Sequence, residues 1–142
     1  MANLTTDAET IEYLSLSADL SLQVTTKEIN LIGKNSSEKS LFESPVFLAC
    51  SYQVSSTDAF ALVVHDDRTL DLYHASYKEA EHKTVLEKRN TAKFETEIHS
   101  ITFVSADFFA VNFWNQSLMH VFRTESPKDE LLKFDISDYA PF

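Results

Sequence analysis

Hydrophobic residues in this chain fall into short runs that change character in a fixed order. The clearest case opens with the nearly unbroken apolar run Asp58-Ala59-Phe60-Ala61-Leu62-Val63-Val64-His65. Four turn-forming polar residues follow, Asp66-Asp67-Arg68-Thr69, and then the alternating segment Leu70-Asp71-Leu72-Tyr73-His74-Ala75. Such a pattern predicts a β-hairpin whose first strand is buried on both faces and whose second is buried on one.

The same order recurs on either side. Residues 107–114 (Asp-Phe-Phe-Ala-Val-Asn-Phe-Trp) lead through Asn115-Gln116-Ser117 into residues 118–123 (Leu-Met-His-Val-Phe-Arg). A more polar copy runs from Asp19 to Thr25, turns at Thr26-Lys27-Glu28 and returns as Ile29-Asn30-Leu31-Ile32. The aspartates that open the three hairpins, Asp19, Asp58 and Asp107, are separated by 39 and 49 residues. That period is the length of a four-stranded propeller blade.

Flanking segments complete each unit. An apolar strand is expected before each hairpin, at residues 11–16, 46–52 and 98–104, and a more polar one after it, at 40–43, 84–89 and 131–136. The prediction is an all-β, WD40-like array of about three four-stranded antiparallel blades, with units at residues 9–44, 45–90 and 91–137. Polar stretches at 34–39, 77–83 and 124–130 read as surface loops. The rival architecture is a two-sheet sandwich, which also uses many short strands. In either fold, residues 78–88 have the Glu and Lys content of a short helix. Closed propellers use about 4–8 blades, so the array is expected to belong to a larger propeller or to complete its ring with another chain.

Composition narrows the function classes. Eleven Phe and five Tyr suit strands. A formal net charge of −10 disfavours a phosphate-binding face, so this segment is not expected to bind nucleic acid. No apolar stretch has the length of a membrane span, and residues 1–7 lack the charged and apolar regions of a secretory signal. With a single cysteine, Cys50, no internal disulfide can form, and a reducing compartment fits. The glycosylation triplets at Asn3, Asn35 and Asn115 then read as chance matches.

Two stretches resemble a known family. Residues 22–32 (Leu-Gln-Val-Thr-Thr-Lys-Glu-Ile-Asn-Leu-Ile) are similar to a segment in the middle propeller of the family of the large damaged-DNA-binding and large cleavage-and-polyadenylation specificity subunits. Residues 109–114 (Phe-Ala-Val-Asn-Phe-Trp) resemble that family's apolar-Ala-x-Gly-x-Trp strand, with Asn112 in the glycine position and Asn30 where a basic residue is common. The resemblance implies a scaffold of three propellers, of which this chain forms part of the middle one. It further implies a nuclear adaptor in DNA repair or chromatin, with a cullin and substrate receptors as partners. A structural hub in mRNA 3′-end processing or splicing is the alternative, and a free-standing oligomeric binding protein is the third. No partner-binding residue carries over, because neither stretch is a binding motif.

Chemistry has few footholds. His65-Asp66-Asp67 could be a metal or acid–base group, yet it falls where the hairpin must turn, and Asp favours turns. On that reading His65 should matter little to stability. His74 and His120 share a place in the second hairpin strands and are expected to share a structural role. His82 and His99 show no ligand spacing. Cys50 lies in an apolar strand with no base beside it, so an inert thiol is expected. Trp114, at the end of a buried strand, is expected to pack in the core or between blades. Glu9, Glu12, Glu95 and Glu97, near the starts of two blades, could meet a basic partner, though a solvated rim is the plainer reading. No catalytic, cofactor-binding or metal-ligating residue is assigned; the chain is read as a non-catalytic protein-interaction scaffold without cofactor or membrane contact.

Overall fold

The computed structural model describes residues 9–135, with side chains described for residues 9–126. Asn3, the leader region at residues 1–7 and residues 136–137 of the third unit lie outside them. Among the described residues, twelve strands form three four-stranded antiparallel sheets, each a meander in chain order. The first blade holds β1 (Thr10–Ser17), β2 (Leu20–Thr25), β3 (Glu28–Gly33) and β4 (Ser37–Leu41). The second holds β5 (Val46–Gln53), β6 (Asp58–His65), β7 (Thr69–Lys78) and β8 (Lys83–Lys93). The third holds β9 (Ile98–Phe103), β10 (Phe108–Phe113), β11 (Leu118–Arg123) and β12 (Ser126–Asp135).

The sheets stack with like strands side by side. β1 packs on β5 and β5 on β9 along the inner edge, while β4 packs on β8 and β8 on β12 along the outer edge. Two separate cores result, and a sandwich would have one. Leu22, Val24, Ile29 and Leu31 of blade 1 meet Ala59, Ala61, Val63 and Tyr73 of blade 2. From the opposite face of blade 2, Leu62, Val64, Leu70 and Leu72 meet Ile98, Phe109, Val111 and Phe122 of blade 3. Alternate residues of a strand point to opposite faces, so a strand buried on both must be apolar throughout, as residues 59–64 are.

Turns are made almost without glycine. Asp66, Asp67 and Asn115 hold φ of 53°, 61° and 62° in the hairpin loops, the left-handed region that short polar side chains tolerate. Gly33, the chain's single glycine, has another duty: a Cβ there would stand 2.5 Å from the Ser36 carbonyl oxygen. At that point β3 reverses into β4 and the Gly33 N–H donates to the same oxygen at 2.9 Å.

Several loop expectations give way to strand. β4 begins at Ser37, inside the predicted loop at 34–39, because β3 offers its free edge and pairs Ile32 with Ser37 through Glu28 with Leu41. β12 begins at Ser126 for the same reason. The possible helix at 78–88 shrinks to one 3-10 turn, Glu79–Glu81, before β8 pairs along the whole of β7.

One junction repeats between blades. The Phe42 N–H donates to Lys27 O at 2.8 Å, and the Val46 N–H to Thr26 O at 2.9 Å. In the next junction Phe94 donates to Arg68 O at 2.9 Å and Ile98 to Asp67 O at 2.6 Å. Each junction therefore ties the first strand of a blade to the hairpin turn of the blade before it. Both carry the same local sequence, Phe42-Glu43-Ser44-Pro45-Val46 and Phe94-Glu95-Thr96-Glu97-Ile98.

Candidate functional site

A buried polar cluster lies between blade 1 and blade 2. His65 ends β6 opposite Thr69, and Asp71 on β7 faces Val63, so the two are diagonal neighbours on one face. His65 Nε2 is 2.6 Å from Asp71 Oδ2, and its Nδ1 is 3.4 Å from the Ser44 carbonyl oxygen. The other carboxylate oxygen of Asp71 accepts from the Thr91 hydroxyl at 2.6 Å, Thr91 being its partner on β8. Both ring nitrogens of His65 face acceptors, so the imidazolium is the form that satisfies the site.

Electrostatics agree with that geometry. The hydrogen bond to Asp71 raises the His65 pKa above its ordinary value, against the opposing effect of burial. Burial pushes Asp71 up, but hydrogen bonds from His65 and Thr91 outweigh it and leave the carboxyl below its ordinary value. Phe42, from the junction, sets its ring edge-on to His65 at 5.4 Å and Tyr73 at 6.3 Å. A cavity of about 290 Å³ opens beside them, with Ser40, Thr69, Lys88 and Lys93 in its wall. The cluster thus holds the junction, β6, β7 and β8 together. His65 is buried and bonded, so the expectation that it matters little to stability is corrected, while Asp66 and Asp67 do form the turn.

Other predicted candidates scatter. His74 Nε2 stands 3.2 Å from Asp58, and its Nδ1 accepts from Arg89 Nη2 at 3.2 Å. Burial, with the Arg89 charge, holds the His74 pKa below its ordinary value, so the neutral ring bridges the two. Arg89 continues to Glu125 at 2.6 Å, where Asn90 Nδ2 also donates to the Glu125 carbonyl at 3.0 Å, which links blade 2 to the turn after β11.

His120 does not share the place of His74. Tyr77 and Thr124 occupy matching positions, donating to Thr57 O and Asp107 O, which aligns His120 with Tyr73. A one-residue offset flips the face. His120 accordingly lies against Phe113 at 4.9 Å, on the side of blade 3 that meets blade 2.

Cys50, on the inner strand of blade 2, has its thiol pKa pushed up to about 12, first by burial and then by the Glu12 charge. Asn112 spans its hairpin loop, donating to Gln116 O at 3.2 Å and Leu118 O at 3.3 Å. Trp114 is not in the core: it is 50% exposed, with its ring 4.2 Å from that of His99. The buried residue at the end of that strand is Phe113. Among the described residues no group of three or more His, Cys, Asp or Glu side chains is placed to hold a metal ion. No helix among them is long and apolar enough to cross a membrane.

Comparison with solved structures gives the fold its class. The chain is similar to the β-propeller domain of Cps50 (Swd1) from Myceliophteria thermophila, with a TM-score of 0.66 and 15% identity over 89% of this chain and 41% of that one. It is also similar to Hsv2 from Kluyvelomyces marxianus, with a TM-score of 0.53 and 10% identity over 91% of this chain and 40% of that one. This is a β-propeller array of three four-stranded blades, and it spans about two fifths of the length of either solved chain. No family model matches the sequence, and no curated protein matches it.

Proposed function

We propose that the chain is part of a non-catalytic propeller scaffold that holds other proteins. The observation that carries this reading is how the buried polar side chains are used. His65, Asp71 and Thr91 are bonded to one another and to the junction, Gln23 to Thr10 and Asn30, and Ser36 to Thr84 across blades 1 and 2. Groups spent on holding strands and blades in register present no nucleophile or general base to a substrate. The chain they support carries a formal net charge of −10, which suits recognition of a protein of complementary charge.

In finer detail, the scaffold works in the nucleus as a middle-propeller segment of an adaptor that brings a target to a cullin-type ubiquitin ligase. Residues 22–32 and 109–114 support that assignment, and the solved neighbours add only the propeller fold to it. Affinity purification of the full-length protein from its own cells is the test. Recovery of a cullin with ubiquitin-ligase components is the expected result. Polyadenylation or splicing factors, or only further copies of the protein, would replace the adaptor role with one of the two alternatives and leave the scaffold standing. Hydrolase turnover by the purified chain that His65→Ala or Cys50→Ser abolishes would overturn the scaffold reading itself.

A further inference from the structure

At the end of the array that carries the β6–β7 turn, a cavity of about 270 Å³ opens between blades 2 and 3. Its lining divides by chemistry. Leu48, Val64 and Ile98, with Phe47, supply its apolar lining, and Asp66 and Asp67 supply its polar lining. Phe47 is 75% exposed although its neighbour Val46 is fully buried, and it falls where the register of β5 shifts between Val46 and Leu48. The two aspartates are fixed in place by the left-handed backbone of the turn, at φ 53° and 61°. Arg68, the nearest cation in sequence, is directed instead toward Glu97 at 3.9 Å.

An apolar occupant would cover the apolar lining but strip water from two carboxylates without replacing it, which is costly. A small cation would meet the carboxylates and leave the apolar lining wet. A long side chain with an aliphatic stem and a cationic tip satisfies both parts. The stem lies on Leu48, Val64 and Ile98; the tip meets the aspartates, in a forked pair if it is a guanidinium, with the Phe47 ring beside it. We infer that this hollow receives an arginine or lysine side chain from a basic segment of a partner protein.

The surroundings extend the fit. Trp114 donates its backbone N–H to Glu97 O at 2.9 Å, next to Ile98 of the apolar lining, and leaves half its surface free for a neighbouring residue of the same segment. A formal net charge of −10 draws a basic segment toward the chain. The inference rests on reading the array as an interaction scaffold and gives that scaffold one partner chemistry.

The test uses the full chain and a fluorescein-labelled Gly/Ser peptide carrying one central arginine between two lysines, titrated by fluorescence anisotropy. The control peptide carries citrulline in place of the arginine, keeping the shape and removing the charge. Citrulline, or the double variant Asp66→Asn with Asp67→Asn, should each weaken binding by at least about tenfold, the loss of one charge-assisted contact. Asn tolerates the left-handed backbone at both positions, so the thermal midpoint should hold, and Phe47→Ser should weaken binding with the fold also intact. No measurable binding, or binding indifferent to the Asn pair, would overturn the inference. If the scaffold still recovers its protein partners when the peptide fails, only the pocket is lost.

Discussion

His65 Nε2 lies 2.6 Å from Asp71 Oδ2, and the pair joins the two central strands of blade 2 on the face that meets blade 1. Each residue is nearly inaccessible, so removing one partner strands the other in the interior. His65→Ala should therefore cost about 3 kcal/mol, the range for breaking a buried pair, and Thr91→Val a smaller amount. Urea unfolding of the two variants beside the parent checks this.

The same pair sets a pH window. The pKa of His65 is raised from 6.5, so its contribution is complete below that value and is lost as pH rises through the higher folded value. Asp71 is lowered from 3.8, so its contribution is complete above that value and is lost as pH falls through the lower folded value. Together they contribute most between those two ordinary values. Unfolding midpoints should fall from mildly acid to mildly alkaline solution in the parent, and this component of the fall should be absent in His65→Gln.

Phe109 and Leu62 are fully buried in the core between blades 2 and 3. Phe109→Ala should cost about 3–5 kcal/mol and Leu62→Ala about 2–5 kcal/mol. Differential scanning calorimetry should show both losses. Phe47→Ala, by contrast, should leave the midpoint within about 0.5 kcal/mol, since that ring is mostly exposed.

Gly33→Ala tests the β3–β4 turn of blade 1. The new Cβ would press on the Ser36 carbonyl at 2.5 Å and on Thr84 Cγ2 of blade 2 at 3.0 Å. The backbone oxygen cannot swing aside without losing its bond to the Gly33 N–H. A destabilisation of about 1–3 kcal/mol is expected from such overpacking, with reduced protection and faster hydrogen exchange of the β3–β4 amides.

Cys50 should react slowly with iodoacetamide at neutral pH and rapidly once the chain is unfolded. Its pKa of about 12 leaves almost no thiolate in the folded state. Mass spectrometry of timed aliquots reads the difference.

The hairpins were legible in the chain because their two periods are strong: Ala59 to Val64 is apolar throughout, and Leu70 to Tyr73 opens the alternating return strand. β4 and β12 were harder, since Ser37 to Leu41 and the start at Ser126 are polar and owe their strand state to a free neighbouring edge. That is a tertiary effect which local composition does not carry. His65 and Asp71 are six residues apart with no motif between them, and only the register across the three-residue loop brings them together. Register also separates His74, which lies opposite Phe60, from His120, which lies opposite Val111, so the two rings fall on opposite faces of their blades. One signal could have been read earlier: Phe-Glu-Ser-Pro-Val and Phe-Glu-Thr-Glu-Ile, 52 residues apart, mark equivalent junctions between blades.

Methyl-to-methyl and methyl-to-aromatic nuclear Overhauser contacts test the blade array most directly. The account predicts two separate networks, Leu22 and Ile29 with Ala61 and Val63, and Leu62 and Leu72 with Phe109 and Val111. Direct contacts between Leu22 or Val24 and Phe109 or Val111 would place all three hairpins around one core and contradict it.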